Sequence, residues 1–117
     1  MSREIKFRAY IKFLGEVQMV TEMKLNGNVF VDDYFYALAQ DDVCLMQYTG
    51  LKDNDKVEVY ESDVVEAFGG HTVGVIVMHN GSWMIKTNED LESLFDAYDS
   101  CDLHVIGNIH QNPELLK

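Results

Sequence analysis

Apolar and polar side chains alternate from the start of the chain. Ile5, Phe7, Ala9 and Ile11 fall on one face, and Lys6, Arg8, Tyr10 and Lys12 on the other. A period of two over residues 4–13 predicts a half-buried β-strand. Gly15 then permits a turn, and residues 17–25 form a weaker extended segment containing Met19 and Met23. Asn26-Gly27 predicts a hairpin, because both residues accept the positive φ of a type I′ turn, with residues 28–31 as the returning strand. Residues 32–42 carry no clean period. Tyr34, Phe35, Leu38 and Ala39 fit a short helical stripe or an irregular loop, and the flanking pairs Asp32-Asp33 and Asp41-Asp42 favour the loop.

Shorter units follow. Residues 45–48 read as a strand punctuated by Gly50, residues 52–56 as a polar turn, and Val57 and Val59 around an outward Glu58 as the next strand. Glu61-Ser62-Asp63 is a second tight turn leading into Val64 and Val65. Residues 72–79 are β-branched and apolar on both faces, which predicts the most buried strand. Asn80-Gly81 is the second hairpin signal, and residues 82–86 return with Trp83 and Ile85 on one face. Leu91, Leu94, Phe95 and Tyr98 lie at i, i+3, i+4 and i+7, the stripe of one amphipathic helix over about residues 88–99. Thr87 or Asn88 would cap it, and Glu89, Asp90 and Glu92 suit its N-terminal dipole. Residues 101–110 read as a last strand, with Leu103 and Val105 facing one way and Ile106 the other. Asn112-Pro113 opens a terminal helical turn.

These elements predict a mainly-β, α+β chain: a small antiparallel, barrel-like sheet of the SH3-like kind, one amphipathic helix and an N-terminal strand extension. A length of 117 residues fits one domain, with residues 1–44 as the extended and hairpin segment and 45–117 as the barrel-like segment.

Charge narrows the partners. Twenty acidic against nine basic side chains give a formal −11, and the sequence pI is about 4.5. Such a surface repels phosphate backbones unless its cations gather on one face, which disfavours nucleic acid and anionic membranes. A basic partner or charge mimicry of DNA is physically compatible with it. No apolar run reaches the roughly 18 to 20 residues that span a bilayer, and residues 1–8 lack the apolar stretch of a signal peptide. The expected location is the cytoplasm, where Cys44 and Cys101 stay reduced as small hydrophobes.

Candidate chemistry is sparse. Cys101-x-x-His104 has half-site zinc spacing, with His110 six residues on, but Cys44, His71 and His79 are scattered singly, so no metal site is assigned. Asp53, Asp55, Glu58, Glu61 and Asp63 cluster around the two central turns. Paired carboxylates suit a divalent cation or acid–base work, yet Asp53-x-Asp55 lacks the glycine and distal glutamate of a calcium loop. Turn hydrogen bonding is the better explanation of these aspartates. Gly69-Gly70 and Gly74 lack the lysine and following helix of a phosphate cradle. Tyr48, Tyr60 and Trp83 are interleaved with acids where a single-strand-binding surface needs cations, so packing is favoured. Lys6, Arg8 and Lys12 make at most a local basic stripe. No catalytic residue and no cofactor is assigned.

Leu45-Met-Gln-Tyr-Thr-Gly-Leu-Lys-Asp53, Val57-Glu-Val-Tyr-Glu-Ser-Asp-Val-Val65, Val105-Ile-Gly-Asn-Ile109 and Asn112-Pro-Glu-Leu-Leu116 together resemble the YopX family of bacteriophage and prophage proteins. With Ile5-Lys-Phe-Arg-Ala-Tyr10 and the Asn80-Gly81 hairpin, the resemblance covers almost the whole chain. Family members typically read Tyr-Glu-Gly-Asp-Ile-Val at the second tight turn, where Ser62 replaces the glycine here. Their Asn-Gly of the preceding turn falls on Asp55-Lys56. The resemblance implies a small phage-encoded protein able to form homo-oligomers, and it offers no catalytic residues to carry over.

The expected function is therefore a non-enzymatic homo-oligomeric or protein-binding module. The alternative is a metal-dependent enzyme or nucleic-acid-associated factor centred on Asp53, Asp55, Glu61 and Asp63. The expected self-association surface is aromatic: Phe30, Tyr34, Phe35 or Tyr36. One helix covers only one face of a sheet, and the edge strand at residues 5–13 can pair across an interface.

Overall fold

A computed structural model describes residues 5–24, 28–31, 34–37, 43–68, 72–88, 90–99 and 102–116. The chain divides into two compact units, residues 1–47 and 48–117. Both are built from antiparallel strands, so the mainly-β, barrel-like expectation holds.

In the first unit β1 (Phe7–Ile11) turns at residues 12–15 into β2 (Glu16–Met19). Gly15, at φ 68°, closes that turn by donating its N–H to the Ile11 carbonyl. The alternation works as read, since Ala9 and Ile11 are fully buried with Val43, while Val20 and Leu45 pack alongside. Ile5 and Phe13 lie outside the strand and are exposed. The short β3 (Glu22–Met23), β4 (Asn28–Val31) and β5 (Tyr34–Ala37) form a three-stranded sheet. Asn26-Gly27 falls outside the described residues, but β3 and β4 on either side of it are paired.

Residues 34–37 correct the expectation of a loop or helical stripe. Each is matched with a β4 residue from Asn28 to Val31, so the backbone polar groups find partners in a ladder, which suits an aromatic run.

Strand β6 (Val43–Lys52) begins in the first unit, pairing with β1, and continues into the second, pairing with β7 (Glu58–Tyr60). Gly50 does not end this strand. At φ 91° it sits where the register shifts between Tyr48 and Lys52, so it bends the strand and lets it continue for ten residues.

The second unit adds β8 (Asp63–Ala67), β9 (Thr72–His79), β10 (Ser82–Lys86), β11 (Leu91–Ser93), α1 (Leu94–Asp99) and β12 (Leu103–Asn108). The sheet order is β11-β10-β9-β8-β12. Val59, Val65, Ile76, Trp83, Ile85, Leu94 and Leu103 form its core. Asn80-Gly81 makes the predicted β9–β10 turn with φ of 50° and 81°. Gly74 has a packing reason: an added Cβ would lie 2.6 Å from the Lys86 carbonyl oxygen and 2.7 Å from an Ile85 methyl. A 3₁₀ turn at Pro113–Leu116 ends the chain as expected.

Two expectations change here. The helix is six residues, not twelve, because Thr87 folds the chain back first. The Thr87 N–H donates to the Asp90 carbonyl and the Asp90 N–H to Thr87 Oγ1, which returns Leu91–Ser93 as a strand beside β10. Ser93 Oγ then accepts from Asp96 N as the helix cap. Leu94 of the stripe is fully buried, whereas Leu91 and Phe95 are exposed. Strand β9 is also less buried than β8. Its core side is Gly74 and Ile76, while Val73, Val75 and Val77 are half-buried and Met78 and His79 exposed.

Candidate functional site

The acidic cluster gathers at the β6–β7 turn, and its geometry shows what each carboxylate does. Asp53 is buried. Its Oδ1 accepts the N–H groups of Asp55 at 2.8 Å and Val57 at 2.9 Å, and its Oδ2 accepts that of Val105 at 2.9 Å. Asn54 continues the pattern: its N–H donates to the Leu103 carbonyl at 3.0 Å, and its Oδ1 accepts from Leu103 N at 3.1 Å. Strand β12 pairs with β8 on one side, so Asp53 and Asn54 satisfy N–H groups on its other side. An edge that would otherwise offer a template to another chain is thereby capped.

Asp63 has the same role in the following turn. It is 1% exposed, and its Oδ2 accepts Tyr60 N at 2.8 Å across the Glu61-Ser62 turn. Ser62 donates its N–H to Ile76 O and accepts from Ile109 N, tying the turn to β9 and to the segment after β12. Both turns keep a left-handed residue without glycine, Lys56 at φ 65° and Ser62 at φ 73°.

The solvent side of the cluster centres on His104. Its Nδ1 lies 3.2 Å from Asp55 Oδ2, and its Nε2 3.8 Å from Asp102 Oδ1. The hydrogen bond that the imidazole donates to Asp55 holds its pKa above the ordinary value. Partial desolvation works against that rise, and the charges of Asp55, Asp102 and Asp53 add to it. Glu58 accepts from the Tyr60 hydroxyl at 3.3 Å, and the Tyr60 ring packs 5.4 Å from that of Tyr48. Glu61 is half-buried in its turn.

The arrangement thus uses Asp53 and Asp63 as acceptors for backbone N–H groups, while Asp55 engages an exposed histidine. Among the described residues no three His, Cys, Asp or Glu side chains are placed to hold a metal ion. His71 and Cys101 lie outside the described residues, and Cys44 is a half-buried free thiol. The β12 bulge between Val105 and Gly107 breaks the even spacing of His104 and His110, and His110 falls in the turn beyond the strand. Tyr48, Tyr60 and Trp83 are all buried, so none offers a face for base stacking. Lys6 and Arg8 are half-buried, which leaves Lys12 as the exposed member of that stripe.

Phe30 is half-buried, with the Lys24 ammonium 5.8 Å from its ring centre. Tyr34, Phe35 and Tyr36 occupy β5, and their side chains lie outside the described residues. Sequence periodicity missed Asn54, which is indistinguishable from other polar turn residues. It also missed Asn108, a buried residue whose Oδ1 accepts from His110 N and Gln111 N. Among the described residues, no helix is long and apolar enough to cross a membrane.

Two solved structures share this architecture. Protein EF1440 from Enterococcus faecalis is similar with a TM-score of 0.78 and 25% identity, over 99% of this chain and 100% of that one. The protein yopX from Bacillus subtilis shares the fold, with a TM-score of 0.59 and 17% identity over 96% of this chain and 98% of its own. Among curated proteins none matches. The family model described as YopX protein matches residues 6–117, and the chain belongs to the YopX family.

Proposed function

We propose that this protein is a phage- or prophage-encoded, non-enzymatic module that acts by binding protein, in the first place other copies of itself, in the host cytoplasm. The observation that carries this reading is the amount of large apolar surface left outside on an acidic chain. Phe13, Leu14, Met19, Met23, Met78, Leu91 and Phe95 are all exposed. Exposed apolar side chains mark association surfaces where they cluster, as Met78 and Leu91 do along one groove of the second unit. The two most buried carboxylates of the central cluster support the same reading, because their oxygens accept backbone N–H groups. The aromatic strands β4 and β5, with Phe30, Tyr34, Phe35 and Tyr36, are the proposed self-association surface.

Light scattering coupled to gel filtration tests the proposal. The expected result is a mass at least twice the 13.4 kDa of one chain at tens of micromolar protein. A monomer under those conditions overturns self-association. Stoichiometric zinc, manganese or magnesium in the purified protein would instead support the metal-dependent alternative at Asp53, Asp55, Glu61 and Asp63.

A further inference from the structure

The Asn80-Gly81 turn places a reactive amide at an open position. These two residues form the whole loop between β9 and β10. The last ladder pair is His79 with Ser82, so the Asn80–Gly81 peptide lies outside the ladder. Asn80 is exposed, and among the described residues nothing lies within 4 Å of where a Gly81 Cβ would stand. Asn80 Nδ2 is 3.3 Å from His79 Nε2. An asparagine amide is open to attack by the main-chain nitrogen that follows it. Glycine, with no Cβ, leaves that nitrogen unhindered and the peptide free to turn toward the amide.

Other asparagines show what blocks such a reaction. Asn54 Oδ1 accepts from Leu103 N, and the following N–H, that of Asp55, donates to Asp53 Oδ1. Asn108 is buried, its amide donates to Gln111 Oε1, and the following N–H, that of Ile109, donates to Ser62 O. Asn112 Oδ1 accepts from Asn108 N, and Pro113 follows it with no N–H to lose. Of these four, Asn80 combines an exposed amide with a following N–H outside the ladder.

We propose that Asn80 modifies itself without an enzyme, cyclising onto Gly81 and then hydrolysing to aspartate and isoaspartate. The Gly81 nitrogen gives up its proton and bonds to Asn80 Cγ. The Cγ–Nδ2 bond breaks, and Nδ2 takes one proton and leaves as ammonia. An imidazole gains and loses protons near neutral pH, so His79 stands where the departing nitrogen needs one. Water then opens the five-membered imide at either carbonyl. One opening yields aspartate; the other carries the main chain through Cβ as isoaspartate. The sum consumes one water and releases one ammonia. Either product adds a negative charge to an already acidic chain. Isoaspartate also lengthens the main chain by one methylene, in a loop that has no slack between His79 and Ser82. Strand β10 brings Trp83 and Ile85 to the core through that register, so the reaction loosens the β9–β10 hairpin.

Incubation of the folded protein at neutral pH and physiological temperature, followed by peptide mapping with mass spectrometry, tests the proposal. The mapping reads each asparagine separately, Asn26 included. Asn54 and Asn108 must first break hydrogen bonds at the amide and at the following nitrogen, so Asn80 should convert about 10- to 100-fold faster than either. His79→Gln keeps a polar neighbour but not the proton exchange, and should slow conversion at Asn80. The parent's melting temperature should fall as the products accumulate, and that of Asn80→Gly, which keeps the turn and lacks the amide, should fall less. Conversion at Asn54 or Asn108 as fast as at Asn80 overturns the proposal. So does an Asn80 that converts in urea but not in the folded protein, since the turn would then protect the amide. A rate at Asn80 unmoved by His79→Gln overturns the part given to His79.

Discussion

Lys56 and Ser62 invite a change that should make this protein more stable. Both hold the left-handed conformation, at φ 65° and 73°, where a Cβ crowds the following carbonyl. The cost for an L-residue there is about 1–2 kcal/mol. Neither can relax away from it. Lys56 N donates to Asp53 O, and Ser62 is held through both backbone groups, to Ile76 O and from Ile109 N. Replacing either with glycine removes the crowding but gives the unfolded chain more freedom, a loss of roughly 0.5–1 kcal/mol. The net gain is about 0.5–1 kcal/mol for Lys56→Gly or Ser62→Gly, and about 1–2 kcal/mol for the pair if their effects add. An unfolding entropy near 2.1 cal/mol/K per residue makes 1 kcal/mol worth about 4 °C in a chain of this length. The double variant should therefore melt about 4–8 °C higher in thermal circular dichroism or calorimetry. Asn80→Gly is the control: Asn80 has φ 50°, but asparagine tolerates that region, so its melting temperature should stay near the parent's. The reasoning is refuted if both glycine variants melt at or below the parent while Asn80→Gly does not differ from it.

Asp53→Asn replaces one acceptor oxygen with an amide that must face a backbone N–H, so urea unfolding should show a loss of about 2–3 kcal/mol. Asp55→Asn, at an exposed position, should cost less than about 0.5 kcal/mol in the same assay. The His104 pKa is raised by Asp55, so the stabilisation it brings is fully present below about 6.5 and disappears as pH rises through the raised value. NMR titration of the His104 ring should show that pKa falling back toward 6.5 in Asp55→Asn, and an unchanged pKa would disprove the assigned cause. Gly74→Ala puts a methyl against the Lys86 carbonyl and Ile85, and should destabilise by about 1–3 kcal/mol, because backbone rather than a flexible side-chain tip must yield.

What was legible in the sequence was carried by local chemistry. Alternation placed Ala9 and Ile11 in the core, Asn80-Gly81 fixed a hairpin, and Asn112-Pro113 opened the last turn. The failures came where a contact distant along the chain overrode local pattern. The stripe from Leu91 to Tyr98 has a helical period, but the Thr87–Asp90 turn delivers Leu91 beside Lys86, and the β10 ladder claims it first. Residues 34–37 show no period of two, because Tyr-Phe-Tyr is apolar throughout, and their strand is set by β4. Gly50 resembles a terminator in isolation, yet a bulge uses its positive φ without ending the strand.

The acidic cluster shows the same limit at the level of function. Five acids within eleven residues resemble a cation site when only composition and spacing are visible. What separates Asp53 from a ligand is the N–H of Val105, fifty-two positions away, and no local spacing contains it. The same separation explains why Asn54 escaped notice, since its partner Leu103 is forty-nine positions distant. Side chains that accept backbone N–H groups at a strand edge close that edge without adding a strand, and charge there further discourages pairing with another chain. The cluster therefore acts against edge-to-edge association at β12.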